Sequence, residues 1–382
     1  MSKPISIRSA VVDTAEVADE DADYRTSQLI TYIGNKRQLL GLIDEALATV
    51  QQRVGRRLVT LDAFSGSGVV SRLAKSRSEL VIANDLESYA RVVSDCYLTN
   101  SDEIDRAVLG QTVDEINQVV ESGYRTDGFI AEHYAPSDDN QIAPGERVFY
   151  TSENARRLDA YIHLIHGLDE PLRTLLLGPL LSAASVHANT AGVFKGFYKD
   201  RETGLGRFGG SGADALSRIT GAITARPPVL SRHRSERRVL QTDAGALPTL
   251  VRGIDVAYLD PPYNQHPYGS NYFMLNLIAD NRVPTAMSKV SGIPNDWNRS
   301  GYNVRSSAAP LLRSLIEDLD SKFLLISFND DGYITPEQMR DMLEPIGTVT
   351  EFTQRYNTFR GSRNLKGRSV HVTEHLYLVE RF

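Results

Sequence analysis

The sequence predicts a doubly wound α/β fold, mainly parallel, interrupted by a mainly helical insertion. Three observations carry that prediction. Between Arg57 and Asp85 a strand runs into a Gly-rich turn, a helix, a second strand and an acid, which is how a parallel doubly wound sheet begins. Strand-like apolar runs return only after Val239. The stretch between carries helical periodicity and then a Gly- and Arg-rich segment. The length of 382 residues suits one large α/β unit or two domains. With 41% hydrophobic and 24% charged residues, the composition excludes collagen-like, coiled-coil and wholly disordered chains.

In chain order, Met1–Tyr24 carries six acids (Asp13, Glu16, Asp19, Glu20, Asp21, Asp23) and few large apolar groups, which predicts a solvated, disordered tail. From Arg37 to Val54 the residues Leu39, Leu40, Ile43, Leu47, Val50 and Val54 recur at helical spacing. Arg57–Phe64 reads as a buried strand, with a helix from Val69; Leu80–Asp85 is the next strand, followed by a helix through Tyr97. Helical patterns then cover Ile104–Val120, Asn154–Ile165 and Leu172–Ala188. Strands resume at Ile254–Leu259 and Lys322–Phe328, and Thr348–Tyr356 with Val370–Val379 reads as a hairpin with a long basic loop. The expected organisation is a tail over 1–24, an α/β domain over 25–100 and 238–382, and a mainly helical insertion over 101–237.

The single cysteine, Cys96, excludes a disulfide framework and a Cys-based zinc site, and it favours a reducing compartment. The longest apolar run, Leu172–Val186, is broken by Arg173, Gly178 and Pro179 and reads as a buried helix. The net charge of −6, taken as an average, argues against a nucleic-acid partner.

The strongest chemical signal is Val256–Leu259 running into Asp260-Pro261-Pro262-Tyr263. An apolar strand ends there at the carboxyl edge, where open α/β sheets place ligands. Two successive prolines remove two backbone donors and fix two φ angles, so the tetrapeptide is stiff and its carbonyls face outward. Such a site suits an exocyclic amino group on a planar base. Asp260 and the Pro261 carbonyl can accept both N–H groups, which favours pyramidal nitrogen and aims its lone pair at an electrophile. Tyr263 can stack on the base, a contact worth about 1–3 kcal/mol. The plainer alternative is a strand end followed by a proline turn.

Leu61-Asp62-Ala63-Phe64-Ser65-Gly66-Ser67-Gly68 supplies the context, since its glycines let the backbone approach a cofactor closely. A dinucleotide fingerprint needs a third glycine where Ser71 stands, and no Gly-Lys-Ser/Thr follows to make a phosphate loop. Asp85, at the end of the next strand, can accept both ribose hydroxyls; its plainer role is a helix N-cap. A nucleoside cofactor without a pyrophosphate fits best.

Thr31-Tyr32-Ile33-Gly34-Asn35-Lys36-Arg37, the Phe64–Gly68 turn, Asp85, Thr242-Asp243 and Asp260–Tyr263 occur in the order seen in Dam-like adenine-N6 DNA methyltransferases, and the chain resembles that family over roughly 24–100 and 239–380. The likeness extends to Gly192–Phe197 and Arg360–Leu365. It implies a SAM-dependent methyltransferase fold, S-adenosylmethionine (SAM) as cofactor and an adenine flipped out of duplex DNA. Tyr32, Gly34 and Lys36 would help hold the cofactor, with Lys36 near its carboxylate. Asp62, Phe64, Gly66 and Gly68 would line its methionine and adenosine portions, Asp85 would hold the ribose and Asp243 would sit near the adenine. Asp260, Pro261, Pro262 and Tyr263 would be the catalytic motif. The family often opens with an aromatic-Ala-Gly-Gly-Lys; here Asn35 stands in that turn, and asparagine tolerates positive φ. A cytoplasmic enzyme of bacterial, archaeal or phage origin, with a companion restriction or defence system, is implied as well.

Lys195–Arg238 holds ten Lys/Arg against four acids, and Thr353–Ser369 holds five against none. Lys195, Lys199, Arg201, Arg207, Arg232 and Arg234 in the first stretch, and Arg360, Arg363 and Lys366 in the second, are the candidate DNA contacts. Phe194, Phe197, Tyr198 and Phe208 are interleaved with the first set. Solvated loops with surplus arginine are the plain alternative. His163 and His166 lack a third metal ligand and read as a helix face. Trp297 lies in Pro294–Gly301, a loop placed either over the target base or simply at the surface.

Rival functions are an adenine-N6 methyltransferase for structured RNA and a catalytically inactive DNA-binding subunit. Labelled SAM with plasmid DNA and with RNA separates the first, and SAM binding separates the second. Cytosine-N4 chemistry commonly has Ser where Asp260 stands, and carbon-5 chemistry needs a thiol nucleophile that Cys96, outside any Pro-Cys turn, does not supply.

Overall fold

A computed structural model of the chain describes residues 20–126, 128–210, 215–330, 332–357 and 371–382. Seven strands form one sheet: β1 (Leu58–Asp62), β2 (Ser78–Asp85), β3 (Glu236–Gln241), β4 (Ile254–Leu259), β5 (Ser321–Asn329), β6 (Gly347–Asn357) and β7 (His371–Arg381). Their order is β3-β2-β1-β4-β5-β7-β6, and β7 alone runs antiparallel to both its neighbours, β5 and β6. The order reverses between β1 and β4, so the crevice of a doubly wound sheet opens at their carboxyl ends. The predicted doubly wound sheet is the one observed, with the final hairpin forming its antiparallel edge.

The central strands are apolar throughout because both faces of the sheet are covered. Leu61, Ile82, Ala257, Leu259, Leu324 and Ile326 pack on one face against helices Arg305–Asp318 and Pro336–Leu343. Leu58, Val81, Val256, Tyr258, Phe323 and Leu325 pack on the other, against helices Leu40–Val54 and Val69–Lys75. The period of two along each strand assigns alternate residues to the two cores. Leu40–Val54 ends where Gly55 takes a left-handed φ of 76° and donates its N–H to Gln51 at 2.8 Å.

A third core joins helices Arg106–Glu121, Ser152–His166 and Leu172–Val186 to Ser88–Leu98 and Phe273–Asp280. The helices of the predicted insertion therefore share apolar packing with helices of the sheet domain. Ser88–Leu98 and Leu172–Val186 approach so closely that a Cβ on Gly178 would lie 2.5 Å from Cys96 Sγ. Cys96 is wholly buried, and burial pushes its thiol well above the ordinary range, which makes it a packing residue.

Three expectations need correction. The tail predicted over 1–24 has its end built into the fold: Ala22–Thr26 is a helix, and Tyr24 is fully buried and donates its hydroxyl to the Tyr97 carbonyl at 2.8 Å. Arg72 holds it from behind, donating to the Tyr24 carbonyl at 2.8 Å while its guanidinium lies 3.5 Å from the Tyr97 ring. Strand β3 starts at Glu236, paired with Leu80, so the sheet resumes two residues before the boundary at 238. Phe194, expected among surface aromatics, is 2% exposed and packs on Phe149 and Phe273, because an aromatic of this size gains most from the helical core.

Candidate active site

Parallel pairing sets the site. Asp62 lies opposite Tyr258 at the ends of β1 and β4, and the Ala63 N–H donates to the Tyr258 carbonyl at 3.1 Å. Asn84, buried near the end of β2, donates to the carbonyls of Ala63 (3.1 Å) and Thr242 (3.2 Å) and so ties three strand ends together. The turn after β1 then needs glycine. Gly66 and Gly68 have φ of 50° and 75°, and a Cβ on Gly66 would lie 2.9 Å from Tyr32 Oη. Asp85 fixes this turn by accepting the Gly66 N–H at 2.8 Å through Oδ2 and the Glu87 N–H at 3.0 Å through Oδ1.

A cleft of about 680 Å³, open to solvent, lies on this edge; Tyr32, Phe64, Asp85, Asp243, Asp260 and Pro262 are in its wall. A smaller hollow of about 270 Å³ continues from it past Gly34, Lys36, Asp62, Gly66 and Asp260. The two share Tyr32, Gly34, Phe64 and Asp260. Of the residues proposed from sequence, Tyr32, Gly34, Lys36, Asp62, Phe64, Gly66, Asp85, Asp243, Asp260 and Pro262 line this continuous space, while Gly68, Pro261 and Tyr263 are not among its lining. Asp62 Oδ2 accepts from Ser71 Oγ at 2.6 Å, while Asp62 Oδ1 is buried without a hydrogen-bond partner. Burial pushes this carboxyl up to about 7, so an ammonium or another donor in the hollow would satisfy it. An unpartnered acceptor in the inner hollow, a carboxylate on the cleft wall at Asp85 and glycines that admit close approach fit SAM.

Lys36 lines the inner hollow. Its ammonium is almost fully buried, 2.5 Å from Glu374 Oε1 on β7 and 3.1 Å from Asp260 Oδ1. The Glu374 contact is a hydrogen bond; the Asp260 contact is an ion pair that leaves Oδ1 without a hydrogen-bond partner. Burial raises the Asp260 carboxyl to about 6, although Lys36 pulls the other way. The departure at Asn35 resolves differently. Gly34 takes the left-handed φ, at 71°, while the Asn35 amide donates to the Tyr32 carbonyl at 2.8 Å.

Four groups escaped the sequence reading. Tyr268 and Tyr272 stack on Tyr32 at 5.0 and 4.7 Å between centroids, and Tyr272 Oη accepts the Ile33 N–H at 2.7 Å. Glu87, which burial pushes up to about 7, lines the cleft and accepts from Asn298 Nδ2 at 3.0 Å. Glu374 is fully buried. Tyrosines soon after an Asp-Pro-Pro-Tyr, and an acid inside an apolar strand, were the available signals. Tyr263 packs edge-on against Phe328, with Lys36 Nζ 5.7 Å from its ring centroid. Trp297 stacks under Arg299 in an adjoining hollow, while Asn298 and Ser300 of the same loop line the cleft. His166 Nε2 donates to the Ile278 carbonyl at 3.0 Å, and no metal cluster occurs among the described residues.

The candidate DNA contacts divide. Lys195, Lys199, Arg201 and Arg207 are exposed, and Lys195 lies beside His266, just past Tyr263. The Phe194 N–H donates to the Asn271 carbonyl at 2.7 Å, which ties this segment to the chain that follows the motif. Arg232 and Arg234 precede β3 and so sit at the amino edge of the parallel sheet, ~20 Å along the strands from the cleft. Arg234 is also paired with Asp102. Arg360, Arg363 and Lys366 lie outside the described residues.

The chain matches the D12 class N6 adenine-specific DNA methyltransferase family over residues 32–203 and 244–342. It is 29% identical over 364 residues to the Type II methyltransferase M.NlaIII of Neisseria lactamica, covering 92% of this chain and 99% of that protein. It is 25% identical to the Type II methyltransferase M.CviAII of Paramecium bursaria Chlorella virus 1, covering 92% and 98% respectively. Against the Type II methyltransferase M.FokI of Planomicrobium okeanokoites it is 23% identical, covering 92% of this chain and 52% of that protein.

Proposed function

The chain belongs to the D12 class N6 adenine-specific DNA methyltransferases, and from that premise we propose that SAM is its methyl donor and Asp260–Tyr263 its catalytic motif. The observation that carries the proposal is Asp260 Oδ1, a buried carboxylate oxygen at the junction of the cleft and its inner hollow, ion-paired with Lys36 at 3.1 Å. Bound in that space, SAM would supply a sulfonium methyl group as electrophile, its sulfur leaving with the bonding pair as a neutral thioether.

Asp260 Oδ1 and the Pro261 carbonyl accept the two N–H groups of an adenine swung out of the duplex. Held this way, the N6 lone pair is released from the ring and points at the methyl carbon, where the new N–C bond forms. The positive charge that reaches N6 is met by Asp260, whose Oδ1 takes the departing N6 proton and passes it to solvent. Tyr263 stacks on the base. Asp62, Gly66 and Asp85 bind the cofactor, and Asp243 faces its adenine. No other residue is needed as nucleophile.

Lys195, Lys199, Arg201 and Arg207 hold DNA phosphates, and residues 101–235 form the recognition part. A restriction endonuclease of matching specificity is the partner we propose, because the relatives are type II methyltransferases. No helix among the described residues is long and apolar enough to cross a membrane, and we place the enzyme in the cytoplasm with its DNA. Tritiated SAM incubated with plasmid DNA and with total RNA tests the reading: label in N6-methyladenine of the DNA is expected. Label confined to RNA, or none in either, would overturn it.

A further inference from the structure

The Lys36 ammonium is shared unequally. It lies 2.5 Å from Glu374 Oε1, with a hydrogen bond, and 3.1 Å from Asp260 Oδ1, without one. Glu374 is fully buried in the middle of β7, where an apolar residue would cost less, and Ser327 Oγ on β5 donates to the same Oε1 at 2.8 Å. A buried carboxylate so placed has work to do on the ammonium beside it. Without Glu374, Lys36 would turn fully onto Asp260 Oδ1 and occupy the acceptor that the proposed amine needs. We infer that Glu374 is a positioning residue, which draws Lys36 toward β7 so that Asp260 Oδ1 stays open to the target amine.

The inference rests on the assignment of Asp260 as the amine acceptor. The titratable groups facing Asp260 are Lys36 and Glu374, with Asp62 from the end of β1, Tyr258 from β4, and Tyr263 and Tyr268 from the chain that follows. Burial raises all three phenols, so they stay neutral where the carboxylates titrate. Glu374 raises the proton affinity of Asp260 and Lys36 lowers it. Removing the one or the other must therefore move the acid limb of the rate in opposite directions.

The test is single-turnover methylation of duplex DNA against pH, with separate binding of SAM and DNA, for wild type, Glu374→Gln, Lys36→Met and Ser327→Ala. For Glu374→Gln the rate on the plateau falls at least tenfold, the acid limb moves to lower pH, and both dissociation constants stay within about twofold. Lys36→Met moves the limb to higher pH. Ser327→Ala, which removes one donor to Glu374 with little change of volume, slows the step several-fold and serves where Glu374→Gln does not fold. A wild-type plateau and limb in Glu374→Gln, or in Ser327→Ala where that variant stands in, overturns the inference; so does a rate loss matched by an equal loss of SAM affinity. Failure of the wild type itself to methylate adenine would instead remove the reading on which the inference rests.

Discussion

At the scale of single residues, the site depends on where a Cβ or a proton fits. Gly66 combines a left-handed φ with an approach of 2.9 Å to Tyr32 Oη, so Gly66→Ala strains the backbone and displaces a ring in the cleft wall. SAM affinity measured by calorimetry is expected to fall at least tenfold, about 1.4 kcal/mol, alongside a loss of stability of about 1–3 kcal/mol from the strained turn. The Asp260 carboxyl, raised to about 6 by burial, must be ionised to meet the positive charge at N6 and take its proton. The methylation rate therefore falls as pH drops through about 6 and levels off above it, which a single-turnover profile checks. Residue types and spacing made Gly66, Asp85 and Asp260 legible in the sequence, because each has a chemical reason to stand in its turn. The partnership of Lys36 with Glu374 was not legible: 338 positions separate the two, and only the antiparallel pairing of β7 with β5 brings them together.

At the scale of elements, helix packing sets a sharper limit than helix propensity. Ala is the better helix former, yet a Cβ at Gly178 would meet Cys96 Sγ at 2.5 Å and Cys96 Cβ at 2.8 Å. Gly178→Ala should destabilise the chain by about 1–3 kcal/mol through overpacking, read from the urea midpoint. Pairing it with Cys96→Ala, which removes the sulfur but keeps the Cβ, should recover part of the loss. Strands and helices followed from periodicity because burial imposes it; β3 did not, since an edge strand that opens on three charged residues, Glu236-Arg237-Arg238, has a weak pattern. The short helix Ala22–Thr26 was hidden for a related reason. Its one buried side chain, Tyr24, stands among acids, and what holds it comes from Arg72 and Tyr97.

At the scale of the whole molecule, the mean charge of −6 says little, because the charge is unevenly placed. Six acids fall in the first 24 residues, whereas Lys195–Arg238 carries an excess of six positive charges. The fold divides that excess further: Lys195, Lys199, Arg201 and Arg207 lie exposed on the chain that follows Phe194, which is tied to Asn271, and Arg232 and Arg234 lead into β3. DNA binding should weaken steeply with salt, and Lys195→Ala should lower the slope of log Kd against log salt by about one. Arg234→Ala should leave it unchanged, because that side chain is spent on Asp102. The central claim is that Asp260 directs methyl transfer to adenine N6 in DNA. It is tested most directly by sequencing modified bases in DNA from a methylation-free host expressing wild type or Asp260→Ala. Wild type should place N6-methyladenine in one fixed sequence context, and Asp260→Ala, expressed equally and still binding SAM, should place none. Equal methylation by both, or modification at another base, would contradict the account.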